Sequence, residues 1–407
     1  MRNLRNILTL LFLFFFIVAA GGGLFWANLN FTQRVPGGAD FIVPWKAMQN
    51  FMMQGVTPYG ELTTLNIQSL IYDRPLPAGQ YPYRANIPLF MLLFYLPFAW
   101  IREFVLARAI WLMLLELGLF GVVLISLRMA RWNPHWLIFL FIMLFSVFWL
   151  PSVSMLMTAT AIILQALVMQ AALRSIETGS DELAGALAAL SLLNIEATGL
   201  AFLALVVWSF STRRWRILGG IAMMLTILMA LSFLLLPNWI LPFFGAVLTN
   251  FRSGLIPSTY NIFEHWLPGI GVRLAQILSV SAFVVLFLEW RSVRRQGVHW
   301  LFWTVCLSTA IAPLLGIPYF PQWLVFTLPG VLLVLSVMAQ RWKFLGYVSS
   351  VLLVLVVFLG LWWAQLNSIT SVFILFYPLI LVLFLYWVRW GAVRQPRLWA
   401  DEIVHRV

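Results

Sequence analysis

One carboxylate stands out among the residues that could do chemistry. Asp40 follows Gly37 and Gly38 and precedes an apolar, aromatic stretch that begins at Phe41. The glycines allow a tight backbone turn, and a carboxylate held beside apolar side chains has a raised pKa and suits general base catalysis. The competing interpretation is that Asp40 caps the helix that follows, since Asp is a favoured N-cap residue. The two roles are compatible.

Further polar and aromatic residues follow in the same part of the chain. In the segment 55–59, Gly55 predicts a helix end, and Pro58 prevents the helix from continuing. The segment 81–84 has the sequence Tyr-Pro-Tyr-Arg, which predicts extended backbone that leads into the next apolar run. The guanidinium of Arg84 could bind a phosphate in a bidentate way, or Arg84 could be an arginine that reaches to the membrane interface.

The composition indicates what kind of protein positions these residues. Of 407 residues, 63% are hydrophobic and only 9% are charged, against about 25% charged in soluble domains. We therefore expect an all-α, polytopic membrane protein. The net charge of +12 does not point to nucleic acid, because the basic residues form short clusters between apolar runs, which is the pattern that sets membrane topology. One cysteine and four scattered histidines give no metal-site pattern, and we expect no metal and no cofactor.

Long apolar runs predict about twelve membrane-spanning helices in a single membrane domain, 1–407. The runs lie near residues 7–27, 106–127, 136–152, 155–174, 183–196, 198–211, 217–236, 271–290, 298–316, 322–340, 344–364 and 371–389.

The run at 86–100 decides the topology. Its 15 residues reach about 22 Å as a helix, against a hydrocarbon core of roughly 30 Å. If it does not cross, nearly all later basic residues fall on the side of the N-terminus, which the positive-inside rule makes cytoplasmic. We therefore expect it to lie along or dip into the interface, in a multi-pass plasma-membrane protein with a cytoplasmic N-terminus. Residues 28–105 and 237–270 are then the two large extracytoplasmic loops.

The order of these motifs resembles that of a known family. The N-terminal part of the chain resembles the first outer loop of glycosyltransferase family 87, a GT-C type family that includes polyprenyl-phosphate-mannose-dependent mannosyltransferases. The resemblance lies in an apolar span followed by Asp40-Phe41, Gly55 to Tyr59 and Tyr81-Pro82-Tyr83. The loop 213–216, Arg-Arg-Trp-Arg, also matches its basic-Trp loop. Five positions depart from the pattern: Tyr83 stands in place of a second proline, Asn194, Ile195 and Glu196 differ in the middle of the chain, and Gln322 stands where the family shows a histidine.

The resemblance implies a reaction and roles for particular residues. It makes Asp40 the base on an acceptor hydroxyl, in an inverting transfer of a mannose-like hexose from a polyprenyl-phosphate donor to a lipid or glycan acceptor. Cations must hold the phosphate, and the candidates on the outer side are Arg34, Arg84, Arg252 and Arg273. His265, Glu264, Glu196 and Gln322 are candidates for a second acid or base or for substrate contacts, although Glu264 and Glu196 could instead cap helices and His265 could be an interface aromatic. We expect Phe41, Trp45, Tyr59, Tyr81 and Tyr83 to line the substrate site.

Two other classes of function fit some of the features. A transporter or lipid flippase is compatible with twelve spans, although transporters place polar features near the midplane and often have two similar halves. A non-catalytic relative that binds a polyprenyl lipid is compatible with the departures at Asn194 and Gln322. Loss of sugar transfer on replacement of Asp40 would separate the enzyme from both.

Overall fold

The computed structural model describes residues 2–74, 76, 79–252, 257–294, 296–367 and 372–394, and these residues form helices and connecting segments without a β-strand. The helices are α1 Arg2–Arg34, α2 Ala39–Gln54, α3 Glu61–Tyr72, α4 Leu89–Leu92, α5 Leu96–Ala99, α6 Phe104–Met129, α7 Trp136–Phe148, α8 Leu150–Thr158, α9 Ile162–Glu177, α10 Asp181–Leu190, α11 Ile195–Ser211, α12 Trp215–Leu235, α13 Ile240–Arg252, α14 Thr259–Trp266, α15 Gly271–Ser292, α16 Val298–Ile311, α17 Leu328–Leu366 and α18 Tyr377–Arg394. Short 3₁₀ turns include Leu93–Tyr95, Ser191–Leu193, Ala312–Leu315 and Pro321–Thr327. The predicted all-α membrane fold is confirmed.

The predicted count of twelve spans is not confirmed. Six helical segments in the described part of the chain are long and apolar enough to cross a membrane, or seven if the pair α7 and α8, bent by 50°, counts as one. The six are Phe104–Met129, Trp215–Leu235, Gly271–Ser292, Val298–Leu315, Pro321–Trp342 and Leu345–Leu366. Other apolar runs form shorter helices: α9 has 16 residues and α10 has 10, which gives about 24 Å and 15 Å.

The segment 86–100 forms short helices rather than a span. Pro88 is the N-cap of α4, and a 3₁₀ turn, Leu93–Tyr95, joins α4 to α5. The apolar helical stretch, Leu89–Ala99, is not among the candidate spans. It packs between α2 and α12, so this part of the first loop is held against the helices around it.

Helix α17 contains a sharp reversal. A Cβ atom on Gly346 would lie 2.1 Å from the backbone oxygen of Met338, eight residues earlier, whereas eight residues of straight helix span about 12 Å. The chain therefore turns back near residues 342–345, and α17 supplies two candidate spans. Just before it, the turn Pro321–Thr327 packs against α8 and α9, which brings the late part of the chain to the start of α2.

Candidate functional site

Asp40 lies in the first turn of α2, held by two glycines against α8. Gly38 is the N-cap with φ +85°, and its N–H donates to the backbone oxygen of Met157 at 2.8 Å. A Cβ on Gly37, where φ is +145°, would come within 2.8 Å of the same oxygen. The close approach explains why this turn needs glycine. Asp40 is not the N-cap, so the capping interpretation of this residue does not hold.

The Asp40 carboxylate accepts hydrogen bonds from two neighbouring elements. Gln322 Nε2 donates to Asp40 Oδ2 at 3.1 Å, and Thr158 at the end of α8 is the second donor. Burial raises the pKa of Asp40 to about 6, and the two hydrogen bonds oppose this shift. The carboxyl group therefore titrates close to neutral pH, as a general base requires.

Asp40 opens into a small cavity that collects several of the predicted site residues. The cavity encloses about 70 Å³, which is well below the ~300–1,000 Å³ of typical ligand pockets. Its polar wall contains Asp40, Arg84, Asn86, Asn194 and Thr160. Its aromatic wall contains Tyr81, Tyr83, Tyr95, Phe320 and Trp323.

Tyr81 and Tyr83 form one side of this cavity. Their rings meet edge to face with centroids 4.9 Å apart, and Tyr81 also contacts Phe320 at 6.0 Å. Burial and then the negative charge of Asp40 raise the pKa of both phenols, that of Tyr83 to about 12. The phenols stay neutral and can donate hydrogen bonds to a bound substrate.

Arg84 reaches the same cavity on a backbone that α13 holds in place. Its N–H donates to Asn250 Oδ1 at 3.3 Å, and its carbonyl accepts from Asn250 Nδ2 at 2.9 Å. Asn250 is 2% exposed. Within the described residues, no carboxylate lies within ion-pair distance of the Arg84 guanidinium. A partly buried cation without a carboxylate is suited to bind an anionic group.

Three aromatic residues expected in the site pack in the interior instead. Phe41 is fully buried and stacks on Trp111 at 5.0 Å, and Trp45 donates to the backbone oxygen of Phe98 at 3.0 Å. Tyr59 is 8% exposed and donates its hydroxyl to the oxygen of Ile87 at 2.8 Å. None of Phe41, Trp45 and Tyr59 lines the Asp40 cavity.

The polar candidates of the second loop also lie away from this cavity. Glu264 accepts from the N–H groups of Gly269 at 3.0 Å and Val272 at 3.2 Å, so it caps the start of α15, as the capping alternative predicted. The remaining candidates, His265, Arg252, Arg273 and also Arg34 at the end of α1, have exposed side chains that do not line the cavity.

Of the departures from the family pattern, Tyr83, Asn194 and Gln322 lie at the site. Asn194 lines the cavity, and its N–H donates to Gln165 Oε1 at 3.3 Å. Glu196, in the first turn of α11, does not line the cavity, although its negative charge contributes to the raised pKa of Tyr81. Gln322 is bound to Asp40 itself. An amide at this position supports the carboxylate but cannot exchange a proton with it.

Sequence reasoning missed several supporting residues. Thr158 and Asn250 have no distinguishing signal in the sequence. Arg108 does, because a charge inside an apolar run is rare and usually functional: it is 1% exposed, donates Nη1 to Val35 oxygen at 2.8 Å, and lies against Gly37 and Gly38. Within the part of the chain described above, no group of three or more His, Cys, Asp or Glu residues could hold a metal ion.

Comparison with known proteins gives one family. The model of glycosyltransferase family 87 matches residues 87–318, which is more than half of the chain. The match includes Asn194 and Asn250, whereas Asp40 and Gln322 lie outside it. No curated protein and no solved structure matches the chain at a significant level.

Proposed function

This chain belongs to glycosyltransferase family 87 and is a membrane glycosyltransferase, and we propose that it transfers a mannose-like hexose from a polyprenyl-phosphate donor to an acceptor hydroxyl. The acceptor is a lipid or a glycan, and the active site is the Asp40 cavity on the extracytoplasmic face of the plasma membrane. The observation that carries this proposal is the presence of Asp40 and Arg84 in the wall of one small cavity.

The two side chains have complementary roles in an inverting displacement. Asp40, with a pKa of about 6, is about 90% ionised at pH 7, and it takes the proton of the acceptor hydroxyl. The acceptor oxygen forms a bond to the anomeric carbon while the bond from that carbon to the phosphate oxygen breaks. Polyprenyl phosphate leaves with one more negative charge, and Arg84 stabilises that charge. No metal or cofactor takes part in this scheme.

Gln322 and the tyrosines support the two reacting groups. The Gln322 amide fixes the direction of Oδ2, so that the other carboxylate oxygen is available to the acceptor. Tyr81 and Tyr83 are neutral donors beside the carboxylate and can contact sugar hydroxyls. Glu196, whose charge contributes to the raised pKa of Tyr81, is a further candidate for a substrate contact.

The central prediction is that Asp40→Asn abolishes sugar transfer while the protein still folds. A positioned general base contributes about 10²–10⁴-fold, so the rate should fall by that factor. The measurement uses purified protein, a panel of polyprenyl-phosphate hexoses and native membrane lipids, with transfer followed by mass spectrometry.

The matched control is Asp73→Asn, which removes an exposed carboxylate at the end of α3. It should transfer sugar at the wild-type rate. Undiminished transfer by Asp40→Asn would refute the assignment of the base. Transfer by the wild type from nucleotide sugars alone would refute the lipid-linked donor.

A further inference from the structure

An apolar groove adjoins the Asp40 cavity and has no role in the scheme above. It encloses about 250 Å³ between α5, α6, α9 and the end of α10, and it is lined almost wholly by carbon. Tyr95 and Ala161 belong to the walls of both spaces. The groove and the polar cavity are therefore separated by no more than one layer of side chains.

The other end of the groove faces outward. Two of its wall residues, Phe94 and Leu114, have 45% and 37% of their surface exposed. Leu114 lies in the middle of α6, a candidate membrane span, so this opening is at a depth where lipid chains surround the protein. A chain from the bilayer can enter here without crossing a polar surface.

A buried polar side chain marks the boundary between the two spaces. Gln165 is 2% exposed and lines the groove, while its Oε1 accepts from the N–H of Asn194 in the cavity wall. Its Nε2 has no hydrogen-bond partner. A buried donor without a partner is costly, and a phosphate oxygen placed at the junction would satisfy it.

We propose that this groove binds the first isoprene units of the donor, with the phosphate at the junction between Arg84 and Gln165. The inference rests on the proposed function, because the phosphate is the atom group that joins sugar to lipid. The surfaces follow the order of the groups in a polyprenyl-phosphate sugar. The polar cavity with its carboxylate matches the sugar, the cation and the amide N–H group match the phosphate, and the apolar groove that opens to the bilayer matches the lipid chain. The volume accommodates the start of the chain only, and the rest stays among the lipids.

The groove contributes orientation rather than hydrophobic affinity. A prenyl chain in the bilayer is already in an apolar medium, so moving it into a groove gains little from burial. Fixing its first units, however, fixes the position of the phosphate and of the anomeric carbon relative to Asp40, which is the kind of positioning that lowers a reaction barrier.

The test compares two tryptophan substitutions on the same helix. Leu114→Trp fills the groove, whereas Leu117→Trp adds the same side chain at a position that is 54% exposed and outside the groove. Overpacking the groove should raise the KM for a long-chain polyprenyl-phosphate hexose about tenfold, with the KM for a donor of one isoprene unit unchanged. Leu117→Trp should match the wild type for both donors.

A binding experiment makes the result independent of turnover. Polyprenyl phosphate with a photoreactive diazirine on its second isoprene unit is irradiated with the protein in phosphatidylcholine nanodiscs. We expect cross-links to α5, α6 and α9 that unlabelled polyprenyl phosphate suppresses, that excess phosphatidylglycerol does not, and that Leu114→Trp removes.

The outcomes separate this inference from the function on which it rests. The groove assignment alone would be overturned if the protein transfers sugar but the cross-links lie elsewhere, for example in the apolar cavity beside Tyr377. It would also be overturned if phosphatidylglycerol suppresses the cross-links as well as polyprenyl phosphate does. Groove cross-links without transfer from any polyprenyl-phosphate hexose would instead overturn the proposed reaction.

Discussion

At the scale of single residues, the carboxyl group of Asp40 gives the proposed reaction its dependence on pH, and the hydrogen bond from Gln322 shifts the pKa of that group downward. In the proposed reaction Asp40 acts only when ionised, so the transfer rate should fall as the pH drops below about 6, the pKa of its carboxyl group. Gln322 favours the ionised form by donating to it. Because Gln322 itself does not titrate, we assign the fall of the rate at low pH, the acidic limb of the pH–rate profile, to Asp40.

We predict that Gln322→Leu shifts this acidic limb to higher pH by about one unit. The reason is that a hydrogen bond to a charged group is worth about 1.5–3 kcal/mol, and its loss raises the pKa of Asp40. The measurement is kcat/KM against pH between 5 and 9. Gln54→Leu, at the exposed end of α2, is the control, and coincident profiles for all three proteins would contradict the proposed role of Gln322.

Arg84 provides the second prediction at this scale. Arg84→Gln removes the positive charge from the cavity wall, and kcat/KM for the lipid-linked donor should fall about 10- to 100-fold, as expected for a charge-assisted contact of about 1.5–3 kcal/mol. Arg252→Gln and Arg273→Gln alter exposed side chains outside the cavity and should retain wild-type kinetics. If either of these reduces kcat/KM more than Arg84→Gln, the phosphate site lies elsewhere.

At the scale of elements, the turn before α2 determines where Asp40 lies. A methyl group on Gly38 would come within 3.0 Å of the Arg108 side chain and 3.2 Å of Phe104, in addition to the cost of φ +85°. The close contacts with α6 therefore allow no side chain at this position.

We predict that Gly38→Ala reduces both the transfer rate and the thermal stability in detergent. Gly55→Ala at the other end of α2 is the control, because Gly55 has φ +67° and a methyl group there would meet no atom within 4 Å. Both substitutions bear the left-handed backbone penalty of about 1–2 kcal/mol, so only the excess effect of Gly38→Ala reports contact with Arg108. Equal effects on rate would show that the close approach does not matter.

The packing of individual helices and turns also explains which site residues could be predicted from the sequence. The glycines before Asp40 gave a local signal that the structure bears out, whereas the backbone predicted to be extended at 81–84 turns at Tyr83, where φ is +44°. The roles of Phe41 and Trp45 could not be read locally: they lie four residues apart on one face of α2, which packs inward, whereas Asp40 and Val43 face the cavity. The contact with Gln322 crosses 282 residues, and no local pattern reports such a separation.

At the scale of the whole molecule, apolar runs gave the fold class but not the number of spans. Apolar composition marks lipid-facing helices and buried helices alike. The span window at Pro321–Trp342 is 94% buried, whereas that at Leu345–Leu366 is 22% buried, at similar hydropathy. The sequence cannot tell these apart, and it does not show where helices such as α10 end after only 10 residues.

A charged cluster joins three helices far along the chain from Asp40. Glu289 on α15 is 8% exposed, pairs with Arg389 of α18 and accepts from the Tyr386 hydroxyl at 2.9 Å. The Arg389 guanidinium lies over the ring of Trp300 on α16 at 5.0 Å.

We predict that Arg389→Leu destabilises the protein by about 3–5 kcal/mol, because it leaves the carboxylate of Glu289 buried without its cation. Thermal unfolding in detergent measures the change. Arg291→Leu, an exposed arginine on α15, should have little effect, and adding Glu289→Gln to Arg389→Leu should restore part of the loss. An unchanged melting temperature for Arg389→Leu would show that the cluster does not stabilise the fold.

The long separation between Asp40 and Gln322 has a consequence for biogenesis. During translation the aspartate leaves the ribosome early, whereas its amide partner is synthesised 282 residues later. The hydrogen bonds that hold the Arg84 backbone likewise form only after Asn250 has been synthesised. A nascent chain halted before these later segments has the acidic group but lacks the contacts from Gln322 and Asn250. Under the proposed function, we therefore expect sugar transfer only after most of the membrane domain has been synthesised.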